Sequence, residues 1–179
     1  GPHDLPISSI ERSTDDLLAF DEDLISSVRM NTTKFLSSES LRKYREFGVQ
    51  PKRGVLLAGA PGSGKTVICR KILLEAVKEG LNAVFLDPQS IRSQRMDFLS
   101  VFKFSARKAP VVIVIDDIDL FFSDREFAEG SNILGDMLQA LDGIQSSEGV
   151  VTLAATNHLD SLDPALIRPG RFDAIFEIK

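Results

Sequence analysis

Eight consecutive residues, Gly59-Ala60-Pro61-Gly62-Ser63-Gly64-Lys65-Thr66, have the types and spacing of a polyphosphate cradle. They fit G-x-x-x-x-G-K-[ST], the phosphate-binding loop. Glycines let a backbone fold around an anion, so that its N–H groups and those opening the next helix face the phosphates. Lys65 can reach the β- and γ-phosphates, and Thr66 offers a hydroxyl to Mg²⁺. The nucleotide contacts expected here run from Gly59 to Val67.

Hydrolysis needs more: a metal-side carboxylate, a group that orients water and a cation for the γ-phosphate. Asp116 ends the apolar run Val111-Val112-Ile113-Val114-Ile115, 51 residues beyond Lys65 (116 − 65). A β-branched run of this kind is a strand buried on both faces of a parallel sheet, and ligands bind at the carboxyl ends of such strands. Asp116 is therefore read as the Mg²⁺-side carboxylate of a Walker B motif, and Asp117 as the group that polarises the attacking water. Asn157 ends another apolar run, Val151 to Thr156, where its amide can hold the water or a γ-phosphate oxygen. Asn157-His158-Leu159-Asp160 also has the outline of the guanine-recognition motif N-K-x-D, but its lysine is missing.

The elements that must position these residues alternate. Strands are expected at 55–58, 82–86, 111–115, 149–155 and 174–178. One helix is expected from Asp21 through Leu36, and a short one over Leu41, Tyr44 and Phe47. Further helices are expected from Val67 to about Glu79, through Met96, Leu99, Phe102 and Ala106, over Ile133–Leu141 with Ser131 as cap, and over Asp163–Arg168. Asp124 to Gly130 reads as a charged, flexible stretch. Alternation of this kind implies a parallel sheet covered on both faces. The Phe residues read as core rather than as a base-stacking platform. Hydrophobic residues make up 43% of the 179 and the net charge is −5, so no basic field argues for nucleic acid. The single cysteine, Cys69, excludes an internal disulfide and reads as a small buried hydrophobe. His3 and His158 do not suggest a zinc site, and no apolar run reaches the ~20 residues of a membrane span.

One longer pattern decides the family resemblance. It is Leu162-Asp163-Pro164-Ala165-Leu166-Ile167-Arg168-Pro169-Gly170-Arg171-Phe172-Asp173. With Gly59–Thr66, Asp116-Asp117-Ile118-Asp119 and Ala154-Ala155-Thr156-Asn157, it resembles the ATPase module of the AAA family, found in hexameric unfoldases and membrane-anchored AAA proteases. The likeness runs from about Asp15 to the end. It implies a three-layer P-loop NTPase fold with a central, mainly parallel five-stranded sheet and helices on both faces. It implies ATP and Mg²⁺ as ligands, a ring (a hexamer) as the assembly, and a protein substrate or partner. Asn157 takes the sensor-1 role. Arg168 and Arg171 match the paired arginine fingers that act in a neighbouring subunit's site. The adenine-contacting segment falls at Asp16-Leu17-Leu18-Ala19, with Leu17 and Leu18 as contacts and Leu18-Ala19 in place of the usual paired glycines.

Three departures qualify the likeness. Asp117 stands where the family has glutamate, which implies slow hydrolysis. Ile91-Arg92-Ser93-Gln94-Arg95-Met96-Asp97, after the second strand, lacks the pore triplet of protein-threading relatives. Residues 1–14 read as an extended lead, with Gly1-Pro2 as a protease scar, and 15–179 as the large subdomain without the family's helical lid. That lack implies weak nucleotide affinity and mainly monomeric behaviour. The rival functional reading is a nucleotide-binding assembly module with little hydrolysis; a nucleic-acid motor is disfavoured by the acidic balance. The chain reads as intracellular, in the cytoplasm, with anchoring through another segment left open.

Overall fold

The computed structural model describes residues 21–123 and 132–179. Five strands form its sheet: β1 (Lys52–Ala58), β2 (Asn82–Leu86), β3 (Val111–Ile115), β4 (Val150–Thr156) and β5 (Phe172–Glu177). They lie in the order β2-β3-β4-β1-β5, and every pairing is parallel.

Burial follows the sequence. All residues of β3 and β4 are buried, as is β1 from Val55 to Ala58. β5, at one edge, alternates between covered and open positions. Successive side chains point to opposite faces, so each strand feeds two cores. Leu56, Ile113, Ile115, Phe102, Phe121 and Met137 pack on one face. Val55, Leu57, Val112, Val114, Ile68 and Ile72 pack on the other.

The first face is covered by α5 (Phe98–Ala106) and α7 (Ile133–Asp142), the second by α1 (Glu22–Met30), α2 (Ser38–Glu46) and α3 (Lys65–Lys78). Two short helices, α4 (Pro88–Ser93) and α6 (Leu120–Ser123), follow β2 and β3, and 3₁₀ turns at Leu159–Ser161 and Pro164–Ile167 join β4 to β5. Arg29 on α1 grips Glu75 on α3 through two hydrogen bonds of 3.0 and 2.8 Å, fixing the first helix to the helix that follows the glycine loop.

Several boundaries differ from the periodicity. The helix expected from Asp21 through Leu36 stops at Met30, and turns carry the chain on to Phe35 and Leu36, both buried. The Thr32 hydroxyl donates to Val28 O at 2.9 Å, a local bond that competes with helix continuation. α5 begins at Phe98, capped by Asp97, so Met96 lies outside it and is exposed. Phe98 and Phe102 are core, as expected, whereas Phe104 faces outward with the Lys108 ammonium over its ring. Asp87-Pro88 ends β2 and also caps α4, on which Ile91 is buried. α7 is capped by Asn132 rather than by Ser131, which lies outside the described residues. The Asp163–Arg168 segment is a 3₁₀ turn. The lead, Leu17, Leu18 and the Asp124–Gly130 stretch also lie outside the described residues. Among the described residues, no helix is long and apolar enough to cross a membrane.

Candidate nucleotide-binding site

Register brings the chemistry to one edge. Ala58 of β1 pairs with Thr156 of β4, and Ile115 of β3 pairs with Ala154. Gly59, Asp116 and Asn157 therefore leave their strands side by side, at the carboxyl end of a parallel sheet.

The loop has the backbone this role demands. Gly62 and Gly64 have φ of +79° and +100°, a region that L side chains rarely adopt. A Cβ on Gly59 would meet Ile178 O at 2.7 Å, so close packing requires glycine there too. Gly64 is the N-cap of α3 and supplies no side-chain cap, and the first turn carries no acidic residue. The opening N–H groups of a 14-residue helix are thus left for an anion.

Lys65 folds back on the loop. Its ammonium donates to Gly59 O, to Ala60 O at 2.9 Å and to Ser63 Oγ at 3.3 Å. These are acceptors that a phosphate would replace. Burial pushes the Lys65 pKa down, against the opposing pull of Asp116, Asp117 and Asp119.

Thr66 and Asp116 meet across the gap between α3 and β3. Thr66 Oγ1 donates to Asp116 Oδ2 at 3.2 Å, and the Asp117 N–H donates to Asp116 Oδ1 at 3.1 Å. Asp116 is only 8% exposed, and burial raises its pKa despite those donors. A hydroxyl beside a buried carboxylate is a hard oxygen pair of the kind Mg²⁺ takes from a protein, with water and substrate phosphates completing its shell. No group of three or more His, Cys, Asp or Glu that could cage a metal occurs among the described residues. The donor set therefore fits Mg²⁺ carried with a polyphosphate.

Asp117 has φ +50°, a left-handed conformation in which aspartate is enriched over longer side chains. Burial raises its pKa, with Asp116, Asp119 and Asp87 adding to the shift. The sequence alone gave no hint of this backbone state. The Asn157 backbone N–H lies 3.4 Å from the carboxylate of Asp119, two residues beyond Asp117. Asp119 is the third acid of the same motif, and its role shows only in these contacts with the end of β4.

The arginines lie elsewhere. Gly54 pairs with Phe172, and a Cβ on Gly54 would collide with the Arg171 carbonyl. From Gly54 to the end of β1 at Ala58 is about 13 Å of strand. Arg168 is exposed and has no side-chain partner among the described residues. Arg171 makes a bidentate pair with Asp142 and donates to Ala165 O at 2.8 Å. The structure thus gathers Gly59–Val67, Asp116, Asp117 and Asn157, and sets Arg168 and Arg171 apart.

A cleft of about 540 Å³ opens between the start of α1 (Asp21, Asp23, Leu24, Ser27) and the end of β5 (Phe176, Glu177, Ile178, Lys179). Ile178 packs directly on Gly59, so this cleft adjoins the glycine loop. Cys69, fully buried on α3, has its thiol pKa pushed up by burial and is a core residue.

The model of the ATPase family associated with various cellular activities (AAA) matches residues 55–179. The chain belongs to the AAA ATPase family. This AAA module is similar to the proteasome-activating nucleotidase of Saccharolobus islandicus (strain M.14.25 / Kamchatka #1), 38% identical over 148 residues, covering 75% of this chain and 36% of that protein. The same-named protein of Sulfurisphaera tokodaii is 37% identical over 150 residues. The ATP-dependent zinc metalloprotease FtsH 3 of Sorangium cellulosum is 37% identical over 153 residues, covering 79% of this chain and 25% of that protein. The AAA module spans about a third of the length of the nucleotidases it matches and a quarter of that of the metalloprotease.

Proposed function

We infer that this AAA module binds Mg²⁺·ATP at Gly59–Val67 and hydrolyses it at a site completed by a second subunit. The Thr66–Asp116 contact carries the reading, because it joins the glycine loop to the end of β3 through the two oxygen donors a phosphate-bound metal requires. The loop N–H groups and Lys65 hold the phosphates. Bound there, Mg²⁺ would neutralise charge on the β- and γ-oxygens.

Water attacks the γ-phosphorus in line. The new P–O bond forms as the bond to the β–γ bridging oxygen breaks, and ADP leaves. Asp117 accepts a hydrogen bond from the water, and the Asn157 amide holds it or a γ-oxygen. Arg168 of a neighbouring copy supplies positive charge to the γ-phosphoryl group, a contribution of ~10³ to 10⁵ in rate in other nucleotide hydrolases. Its exposure and its distance along the chain from the home loop support action across an interface. Arg171, engaged by Asp142, acts beside it as a brace for the turn that carries Arg168. The cleft beside Ile178 takes the nucleoside end, for which the family resemblance implies Leu17 and Leu18 as contacts.

The assembly on this reading is a ring, a hexamer, that works on a protein. Threading through a pore has no residue support, since Ile91 is committed to the core. A second reading, ATP as an assembly ligand with little turnover, is favoured by Asp117, whose carboxylate stands one methylene short of the glutamate usual in the family. Phosphate release by the assembled protein decides. Hydrolysis predicts turnover that Lys65→Ala abolishes and that Asn157→Ala lowers strongly but measurably. ATP-dependent assembly without phosphate release would establish the second reading instead.

A further inference from the structure

The acid cluster at the end of β3 has one member with no part in the reaction as described. Asp119 follows Asp117 by two residues, half-buried, on the turn between β3 and α6. One oxygen of its carboxylate takes two donors from the end of β4. Thr156 Oγ1 lies 3.3 Å from Oδ1, and the Asn157 backbone N–H lies 3.4 Å from the same atom. Both are long, as when two donors share one acceptor. Thr156 Oγ1 in turn accepts from the His158 N–H at 3.1 Å. The exit of β4 from Thr156 to His158 is thus ordered around a single carboxylate.

The turn that carries Asp119 is itself held firmly. The Ile118 N–H donates to Ala155 O at 3.0 Å, and the Leu120 N–H to Asp117 O at 2.9 Å. Ile118 and Phe121 are fully buried. Asp117 and Asn157, which follow different strands, are therefore joined through one firmly held turn. Water must be placed between those two side chains, and a 1 Å misplacement can cost ~10²-fold in rate.

We propose that Asp119 is a positioning residue for hydrolysis, which sets the Asn157 amide against Asp117 by holding the backbone of Thr156 and Asn157. The inference rests on the hydrolytic reading of the site. It asks of Asp119 only an acceptor oxygen. Asp119→Asn, which keeps an Oδ1, therefore rescues what Asp119→Ala loses.

The test compares Asp119→Ala, Asp119→Asn, Asn157→Ala and Asp119→Ala/Asn157→Ala in the assembled protein, by kcat and KM for ATP and by direct binding of a fluorescent ATP with Mg²⁺. Asp119→Ala is expected to lower kcat by ~10- to 10²-fold and to leave ATP affinity within about twofold of wild type. Asp119→Asn should return kcat to within about threefold, and the double variant should be no slower than Asn157→Ala alone. A kcat for Asp119→Ala within twofold of wild type, an equal loss of binding, or a double variant slower by the product of the two effects would each overturn the proposal. If Asp119→Ala does not fold, Thr156→Val takes its place, with a smaller kcat loss expected and an unchanged kcat overturning the role. Hydrogen exchange at the Asn157 amide needs no turnover: faster exchange in Asp119→Ala supports the role, and unchanged exchange contradicts it. An Asn157→Ala variant as fast as wild type sinks the hydrolytic reading itself, and is distinguishable from failure at Asp119 alone.

Discussion

Arg171 and Asp142, 29 residues apart, face each other through a bidentate pair of hydrogen bonds: Nε to Oδ1 at 3.1 Å and Nη2 to Oδ2 at 2.9 Å. The Asp142 carboxyl is held below its ordinary value by that guanidinium. The pair ties the end of α7 to the start of β5, and the third Arg171 donor reaches Ala165 O in the turn just before Arg168. In this chain the two arginines of the Leu162–Asp173 pattern are thus differently engaged.

Their variants should separate accordingly. Arg168→Ala is expected to reduce ATP turnover by ~10³-fold or more, the size seen when such a cation is withdrawn. Asp142→Ala, acting through the turn, should reduce it by about tenfold and leave ATP affinity unchanged. Arg171→Lys should resemble Asp142→Ala, because lysine cannot replace a planar fork. Steady-state kinetics with a binding isotherm make the comparison. Equal losses for Arg168→Ala and Asp142→Ala would remove the distinction.

The acid cluster should make the ligand-free chain more stable in mild acid. Asp116 and Asp117 have folded pKa values raised above the unfolded value of ~3.9. Folding favours their protonated forms, so the stability they contribute is present below the unfolded value and is lost as pH rises through the raised folded values. At pH 7 the buried charge is a penalty. Asp116→Asn should therefore raise the ligand-free Tm by a few degrees while removing the Mg²⁺ dependence of ATP binding. Calorimetry without nucleotide checks the sign; a lowered Tm contradicts it.

Asp117→Glu sets two effects against each other. The longer side chain reaches the water better, and turnover is expected to rise about tenfold. Glutamate at φ +50° costs ~1 kcal/mol of backbone strain, so Tm should fall. Rates and melting curves of the same preparation show both; a variant no faster than wild type means that side-chain length is not limiting.

Gly64→Ala should damage binding and folding together. A methyl group at φ +100° strains the cap of α3 by ~1–2 kcal/mol, and the N–H groups that would meet phosphate move with it. ATP affinity is expected to drop by at least tenfold. A variant with wild-type affinity would count against the loop as the phosphate cradle.

The sequence carried most of the site because its signals are local. Gly59–Thr66 announces itself by spacing, and the run Val111–Ile115 could only be a strand with Asp116 at its end. The parallel sheet followed from the alternation of elements. What it could not carry depends on pairing across strands. The hold of Asp119 on Asn157 exists only once β3 and β4 stand in register. The Arg171–Asp142 pair needs α7 to end beside β5. The left-handed backbone at Asp117 has no signature in composition. The end of α1 at Met30 was missed because the apolar rhythm continues to Leu36 while a threonine hydroxyl turns inward to Val28 O.

A nucleotide centre shared between two copies of the chain is the core of the account, and subunit mixing tests it most directly. Lys65→Ala removes the phosphate side of a site, and Arg168→Ala removes what the neighbour delivers. Assembled separately, each variant should be inactive. Mixed in equal amounts before assembly, they should recover about a quarter of wild-type ATP turnover, because a head-to-tail interface then pairs an intact loop with an intact arginine about one time in four. A mixture that stays as inactive as its parents would contradict the shared site.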